Sequence, residues 1–152
     1  IGAPIVDMVT GYLSIRNGSG MPRMFMYEET QSRMGKTLWE AKDKYLANSP
    51  LLDADKIETP LLIYHCDADE AVPYEQGRAL YLAMRRLRKP AWLLNYKNEG
   101  HFLSGEGAQR DWTIRMTQFF DYYLKETKEP RWMKEGININ ERGIDQKYDL
   151  IQ

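Results

Sequence analysis

Acidic residues and a histidine stand in this sequence where an acid–base pair would be expected. Asp67, Asp69 and Glu70 lie shortly after the apolar run 61–64, and His101 comes one further strand along the chain. A carboxylate that binds a neutral imidazole fixes its tautomer and stabilises the imidazolium that forms when the ring takes a proton from a nucleophile. These residue types in this order predict an acid and a general base on neighbouring loops.

A nucleophile for that pair is not recognisable in the chain. The serines are Ser14, Ser19, Ser32, Ser49 and Ser104. None lies in the G-x-S-x-G elbow that presents a nucleophilic serine after a strand. An acid followed by a histidine, with the serine earlier, is the α/β-hydrolase order and differs from the chymotrypsin and subtilisin orders.

The elements around these residues predict a strand–helix–strand unit. Residues 61–65 form a continuous apolar run of the kind that is buried in a parallel sheet. From Pro73 apolar residues recur at helical spacing, and residues 91–96 form a second strand that leads into the loop 97–107. A single short helix between two strands implies a parallel pair. Because functional groups collect past the carboxyl ends of such strands, the acids and His101 are expected at one edge of the sheet.

Three further elements are predicted outside this unit. Residues 1–6 suit a short buried strand. Thr37 and Glu40 have the capping-box pattern, which predicts a helix over 38–47. A stripe of aromatic and apolar residues predicts a helix over 110–125 whose apolar face packs in the core.

Composition excludes several classes of protein. The 152 residues carry a net charge of -1, which provides no overall field for nucleic acid or an anionic membrane. Cys66 is the only cysteine, so neither an intrachain disulfide nor a cysteine-based zinc cluster is expected. The apolar runs are far shorter than the roughly 20 residues that a membrane span needs. The cellular compartment is left open.

Two stretches of the sequence share their motifs with a known family. The first comprises Ser49–Pro50, residues 56–65, Asp67–Ala68–Asp69, Val72–Pro73, Gln76 and Leu80–Tyr81, and the second comprises residues 98–101, Arg115, residues 119–125 and residues 130–133. Together they closely resemble the prolyl oligopeptidase family of serine peptidases. The resemblance extends over most of residues 1–133.

The resemblance implies particular catalytic residues. In that family the pattern H-G-x-x-D-x-x-V-P places the catalytic aspartate four residues after its histidine, which corresponds to Asp69. The family histidine in an E-x-H turn matches His101. The chain departs from the pattern at Cys66, where glycine is usual. The resemblance therefore implies that Asp69 orients His101, that an acyl-enzyme forms, and that no cofactor is needed.

Other roles for the same residues are less favoured. His65 is the only other histidine, but it ends the predicted strand and is expected to form a local hydrogen bond. A metal site made of His65, Cys66, Asp67, Asp69 and His101 does not fit the spacing of known sites. The chain has no H-E-x-x-H, no paired cysteines and no calcium-loop pattern.

The substrate-binding residues are harder to assign. In the resembling peptidases, aromatic and apolar residues after the strand next to the nucleophile helix line the specificity pocket. Met8, Val9 and Tyr12 occupy the corresponding segment here and are the candidates for substrate binding. Plain core packing is the alternative for all three.

The sequence thus predicts an α/β fold, the C-terminal part of an α/β-hydrolase with a parallel sheet and flanking helices, in which the N-terminal strands and nucleophile elbow are absent. Residues 1–137 are expected to belong to this peptidase domain and residues 138–152 to a polar C-terminal tail. The serine is expected roughly 20 to 30 residues upstream of Ile1, so the chain alone is expected to be inactive.

The expected partners are a peptide substrate, the N-terminal half of the same polypeptide, and another copy of the chain through an exposed sheet edge. Two alternatives to a peptidase remain. One is an esterase-type α/β-hydrolase, and the other is a non-catalytic interaction module of the same fold.

Overall fold

Short helices and strands precede a strand–helix–strand unit in the chain. The structure, a computed structural model, describes residues 1–151, which fall into two units, residues 1–103 and residues 104–151. In chain order the elements are α1 (Met8–Tyr12), β1 (Ile15–Arg16), β2 (Met21–Pro22), α2 (Met24–Glu28), α3 (Lys42–Ala47), a 3-10 helix (Pro50–Lys56), β3 (Leu61–Tyr64), α4 (Tyr74–Arg86), β4 (Ala91–Leu94), α5 (Glu106–Lys125), α6 (Arg131–Glu135) and a second 3-10 helix (Ile139–Glu141).

Strands β3 and β4 pair in parallel, and α4 connects them. Leu61 lies opposite Ala91, and Tyr64 lies opposite Leu94. Each residue of β3 therefore has a partner in β4 without an offset, and the two strands end at the same edge of the sheet. This arrangement confirms the strand–helix–strand unit that the sequence predicts, so the loops that follow β3 and β4 leave the sheet side by side.

An apolar cluster beneath this sheet holds the first unit together. Ile63 of β3 is fully buried, and it shares the cluster with Leu80 and Met84 of α4 and with Val6 and Ala91. Leu80 and Met84 are four residues apart, so they lie on one face of the helix. Complete burial of a side chain such as Ile63 stabilises the fold by about 1.5–3 kcal/mol.

The N-terminal segment lies beside β3 but is not a strand, so the strand predicted over residues 1–6 is wrong. Gly2 forms an isolated parallel bridge with Tyr64, whose carbonyl accepts from the Ala3 N–H at 2.9 Å. Ala3 then has a φ of 39°, which ends the extended conformation. The side chain of Gln76 on α4 accepts from the N–H groups of both Val6 and Asp7 at 2.9 Å, satisfying backbone donors that a sheet partner would otherwise satisfy.

Residues 8–47 form a second cluster around tyrosines. The buried members are Tyr12, Tyr27, Met34, Leu38 and Tyr45. The helix predicted over 38–47 begins later, at Lys42. Thr37 and Glu40 do exchange the two capping-box hydrogen bonds, but Ala41 has a φ of -136° and interrupts the helix after that turn.

The second unit is built on α5. This helix begins at Glu106, before the predicted start at residue 110. The sequence pattern misses the first turn because its residues are mostly exposed and carry no apolar pattern. Arg115 of α5 is buried between the rings of Trp132 and Tyr148, each 5.1 Å from the guanidinium carbon. Its Nε also donates to Asp111 at 2.8 Å. A stacked, ion-paired arginine of this kind holds the C-terminal segment against the helix.

Candidate active site

Asp69 lies in the turn that follows β3, and its carboxylate points inward. Oδ1 accepts from the N–H groups of Ala71 at 2.8 Å and Val72 at 2.7 Å. The Asp69 side chain is fully buried. An aspartate that accepts from N–H groups two and three residues later stabilises its own turn, so the local sequence fixes the direction of this carboxylate.

His101 lies in the loop after β4 and contacts the same carboxylate. Its Nδ1 is 2.9 Å from Oδ2 and 3.2 Å from Oδ1 of Asp69. Because an ionised carboxylate only accepts, Nδ1 carries the proton and donates it. The His101 side chain is 33% exposed. In the neutral ring Nε2 is then the nitrogen that can accept a proton.

Asp69 is ionised in spite of its burial. Burial alone raises the pKa of a carboxyl group, but hydrogen bonds from His65, the Val72 N–H, His101 and the Ala71 N–H outweigh it. Together they hold the pKa of Asp69 well below its ordinary value. The charge therefore persists at neutral pH, where it can fix the tautomer of His101 and stabilise its protonated form.

Asp67 connects the loop that bears Asp69 to the loop that bears His101. Its Oδ1 accepts from the Asn98 N–H at 2.8 Å. Asn98 has a φ of 60°, a left-handed conformation that asparagine tolerates better than most residues. Sequence reasoning treats Asp67 only as a neighbour of the acid. The unusual Asn98 conformation depends on the folded loop, so no sequence pattern could have revealed this contact.

His65 and Cys66 are both buried at the end of β3. His65 Nε2 contacts the Val72 carbonyl oxygen at 3.1 Å, the local hydrogen bond that the sequence predicts. Burial, together with the carboxylates of Asp69, Glu99 and Asp67, raises the pKa of the Cys66 thiol to about 11. A thiol with that pKa is protonated at neutral pH and does not act as a nucleophile.

The candidate substrate-binding residues lie on the tyrosine cluster. Tyr12 is only 2% exposed, and its hydroxyl donates to Glu28 at 2.6 Å. Met8 and Val9 are half-buried and pack against the same cluster. These contacts are the ones expected if the three residues only pack in the core. Substrate binding by Met8, Val9 and Tyr12 stays a prediction.

Residues 1–151 contain neither a recognisable metal site nor a membrane-spanning helix. In that range no group of three histidine, cysteine or acidic side chains is arranged to hold a metal ion. Within the same described residues, no helix combines the length and the apolar character that crossing a membrane requires.

Several proteins named as peptidases are similar to this chain in sequence. It is 33% identical over 101 residues to the uncharacterized peptidase YuxL of Bacillus subtilis, which is 64% of this chain and 15% of that protein. It is 29% identical over 109 residues to dipeptidyl-peptidase 5 of Porphyromonas endodontalis, which is 65% of this chain and 16% of that protein. The chain thus spans about one-sixth of the length of these relatives.

Solved peptidase structures share the fold. Acylaminoacyl peptidase of Pyrococcus horikoshii superposes with a TM-score of 0.68 at 21% identity, over 90% of this chain and 22% of that one. A puromycin-hydrolyzing peptidase of Mycobacterium tuberculosis superposes with a TM-score of 0.69 at 20% identity, over 81% of this chain and 18% of that one. At these identities the likeness shows the α/β-hydrolase fold alone. A sequence profile described as "Prolyl oligopeptidase family" matches residues 1–127, and the chain belongs to that family of serine peptidases.

Proposed function

We propose that this chain supplies the acid and the base of a serine peptidase, with Asp69 orienting His101. The observation that carries the proposal is the 2.9 Å contact between His101 Nδ1 and a buried, ionised carboxylate. This is the geometry in which an imidazole presents Nε2 as a general base. Membership of the prolyl oligopeptidase family supports the assignment.

The chemistry follows from that tautomer. His101 Nε2 takes the serine hydroxyl proton while the serine oxygen bonds to the peptide carbonyl carbon. The imidazolium then gives this proton to the leaving amine, the peptide C–N bond breaks, and an acyl-enzyme remains. In the second half of the reaction, His101 takes a proton from water, and the water oxygen bonds to the acyl carbon. The bond to the serine oxygen then breaks, the serine regains a proton from the imidazolium, and the carboxylic acid product is released. Asp69 stays ionised throughout and stabilises the imidazolium.

We place the nucleophilic serine in the same polypeptide, upstream of Ile1. Two observations support this. None of the five serines of the chain lies in a G-x-S-x-G elbow. The hydroxyl of Ser49, for example, is buried and donates to the Tyr45 carbonyl at 2.8 Å. In addition, the serine precedes the acid and the histidine in α/β-hydrolases. Residues 1–152 by themselves are therefore expected to be inactive.

The substrates that we propose are short peptides. Relatives are named dipeptidyl-peptidase and acylaminoacyl peptidase, names that specify a dipeptide unit and an acylated amino acid. The corresponding substrates are dipeptidyl and N-acyl-aminoacyl p-nitroanilides. An esterase would instead prefer simple acyl esters, so a comparison of kcat/KM among these three substrates separates the two kinds of hydrolase.

The proposal is tested by labelling the full-length protein with a fluorophosphonate probe and by measuring hydrolysis of the two anilides. Labelling and turnover are expected in the wild type. His101→Ala should abolish both, whereas Lys97→Ala, an exposed residue of the same loop, should leave both unchanged. Failure of the wild type to label would refute the proposal and favour the non-catalytic module. Labelling without hydrolysis of either anilide would refute peptidase activity and favour the esterase. Labelling of residues 1–152 alone would reveal a nucleophile within them.

A further inference from the structure

His65 is fully buried beside the candidate active site, and the proposed mechanism does not use it. Its Nε2 is 3.1 Å from the Val72 carbonyl oxygen and 3.4 Å from Asp69 Oδ2. Both of these atoms are acceptors, so Nε2 carries a proton that faces them. We infer that His65 is a positioning residue for the Asp69–His101 pair, an inference that rests on the proposed function. Its imidazole clamps the turn that directs the Asp69 carboxylate at His101.

The hydrogen bonds of the turn explain how the clamp works. Val72 donates its N–H to Asp69 Oδ1 at 2.7 Å, and its carbonyl faces His65 Nε2. The imidazole therefore contacts both ends of the turn from Asp69 to Val72. Without it, a buried carbonyl loses its partner and the carboxylate loses one of its donors. The turn would then be free to rotate the carboxylate away from His101.

The opposite edge of the His65 ring is held by packing. A Cβ at Gly77 of α4 would lie 2.5 Å from His65 Nδ1 and 3.0 Å from His65 Cβ. The ring of Tyr74 packs edge-on against the imidazole, with centroids 5.7 Å apart. Among residues 1–151 the Nδ1 atom has no hydrogen-bond partner. Glycine is less favourable than alanine inside a helix, and at position 77 it provides the space for the His65 ring.

The test compares His65→Leu with His65→Gln in the full-length protein. The leucine variant removes the donor, whereas the glutamine amide can place an N–H near the position of Nε2. Active sites are counted by fluorophosphonate titration, so that kcat refers to folded, labelled enzyme. His65→Leu should lower kcat per labelled site by up to about 100-fold with KM little changed, and His65→Gln should restore most of it.

A purely structural role gives a different result. His65→Leu would then yield fewer labelled sites with wild-type kcat at each, and that outcome overturns the inference. Loss of kcat in both variants without recovery in His65→Gln would also overturn it, because a donor would then not be what matters.

A second readout does not depend on activity. The proton on His101 Nδ1 gives a downfield NMR signal when it is held by a carboxylate, and His101→Ala identifies that signal. The signal should weaken or move in His65→Leu and return in His65→Gln, and an unchanged signal in His65→Leu would overturn the inference. If the wild type neither labels nor turns over, the proposed function fails, and this signal still decides the role of His65.

Gly77→Ala provides a variant that leaves His65 in place, in case His65→Leu does not fold. The added methyl group should displace the imidazole and lower kcat per labelled site. The matched control is Gly107→Ala in α5, where a Cβ meets no atom within 4 Å. A wild-type kcat per labelled site in Gly77→Ala would contradict the inference that the His65 imidazole positions the Asp69 turn.

Discussion

In the full-length protein, Asp69→Asn should remove most of the proposed peptidase activity by reversing the tautomer of His101. Oδ1 of Asp69 accepts from two backbone N–H groups, those of Ala71 and Val72, so the oxygen of the new amide must occupy that position. Its NH2 group then replaces Oδ2, which lies 2.9 Å from His101 Nδ1. Because an NH2 group only donates, Nδ1 becomes the acceptor and the ring proton moves to Nε2. A protonated Nε2 cannot take the proton of a serine.

The alternative orientation of the amide is much less favourable. A flipped amide would set its NH2 group against the part-buried N–H of Ala71 and the buried N–H of Val72, and a buried donor left without a partner costs about 1–3 kcal/mol. Moving one proton between the two nitrogens of a neutral imidazole costs far less than losing both bonds. The tautomer therefore changes rather than the amide orientation. The wrong tautomer lowers kcat by about 10⁴-fold in serine peptidases, or about 5 kcal/mol in the activation barrier.

The assay is the steady-state kcat of the full-length protein on a dipeptidyl p-nitroanilide, with thermal unfolding as a check on folding. The matched control is Asp67→Asn, two residues away in the same loop. Its amide oxygen can still accept from the Asn98 N–H, so kcat should stay within about threefold of wild type. If Asp69→Asn retained a kcat within about tenfold of wild type, Asp69 would not control the tautomer and the reasoning would be refuted.

Three other predictions concern the first unit. Because hydrogen bonds hold the pKa of Asp69 below that of the unfolded chain, its ionised form stabilises the fold above about pH 4, and this contribution is lost as the pH falls further. The urea midpoint of wild type should therefore fall more steeply in acid than that of Asp69→Asn, and parallel curves would contradict this. Burial raises the pKa of Cys66 to about 11, so iodoacetamide at about pH 8 should alkylate it only after unfolding, as mass spectrometry can test. Ile63→Val should lower the free energy of unfolding by about 1 kcal/mol, whereas Leu82→Ala, which is 57% exposed, should change it by less than about 0.5 kcal/mol.

The central elements of the fold could be predicted because their sequences have a strong apolar pattern. Strand β3 is an uninterrupted apolar run, and α4 repeats its apolar residues at helical spacing. The sequence-based prediction is wrong where a single backbone angle determines whether a strand or a helix forms. Ala3, with a positive φ, prevents the N-terminal strand, and Ala41 delays the start of α3 until after a complete capping box. Neither angle is determined by local residue type, because both depend on contacts made elsewhere in the fold.

For the site, the sequence supplies the residue types but not the choice among them. Asp67, Asp69 and Glu70 are all acids near the end of β3, and spacing alone does not say which one faces inward. The family resemblance singles out Asp69, and the structure brings it to His101. The contact of Asp67 with Asn98 was missed because it joins loops that are distant in sequence. Such contacts become visible only when the backbone path is known.

The acid–base pair is complete within one continuous stretch of chain. Asp69 and His101 are separated by 32 positions, and the other donors to Asp69, which are His65, Ala71 and Val72, lie within the same strand–helix–strand unit. The pairing of β3 with β4 already closes that loop, so the pair forms without a separate entropic cost for bringing its ends together. A chain that lacked the serine would still form the contact between Asp69 and His101. An active enzyme of this fold should therefore be recognised by its nucleophile and not by this pair alone.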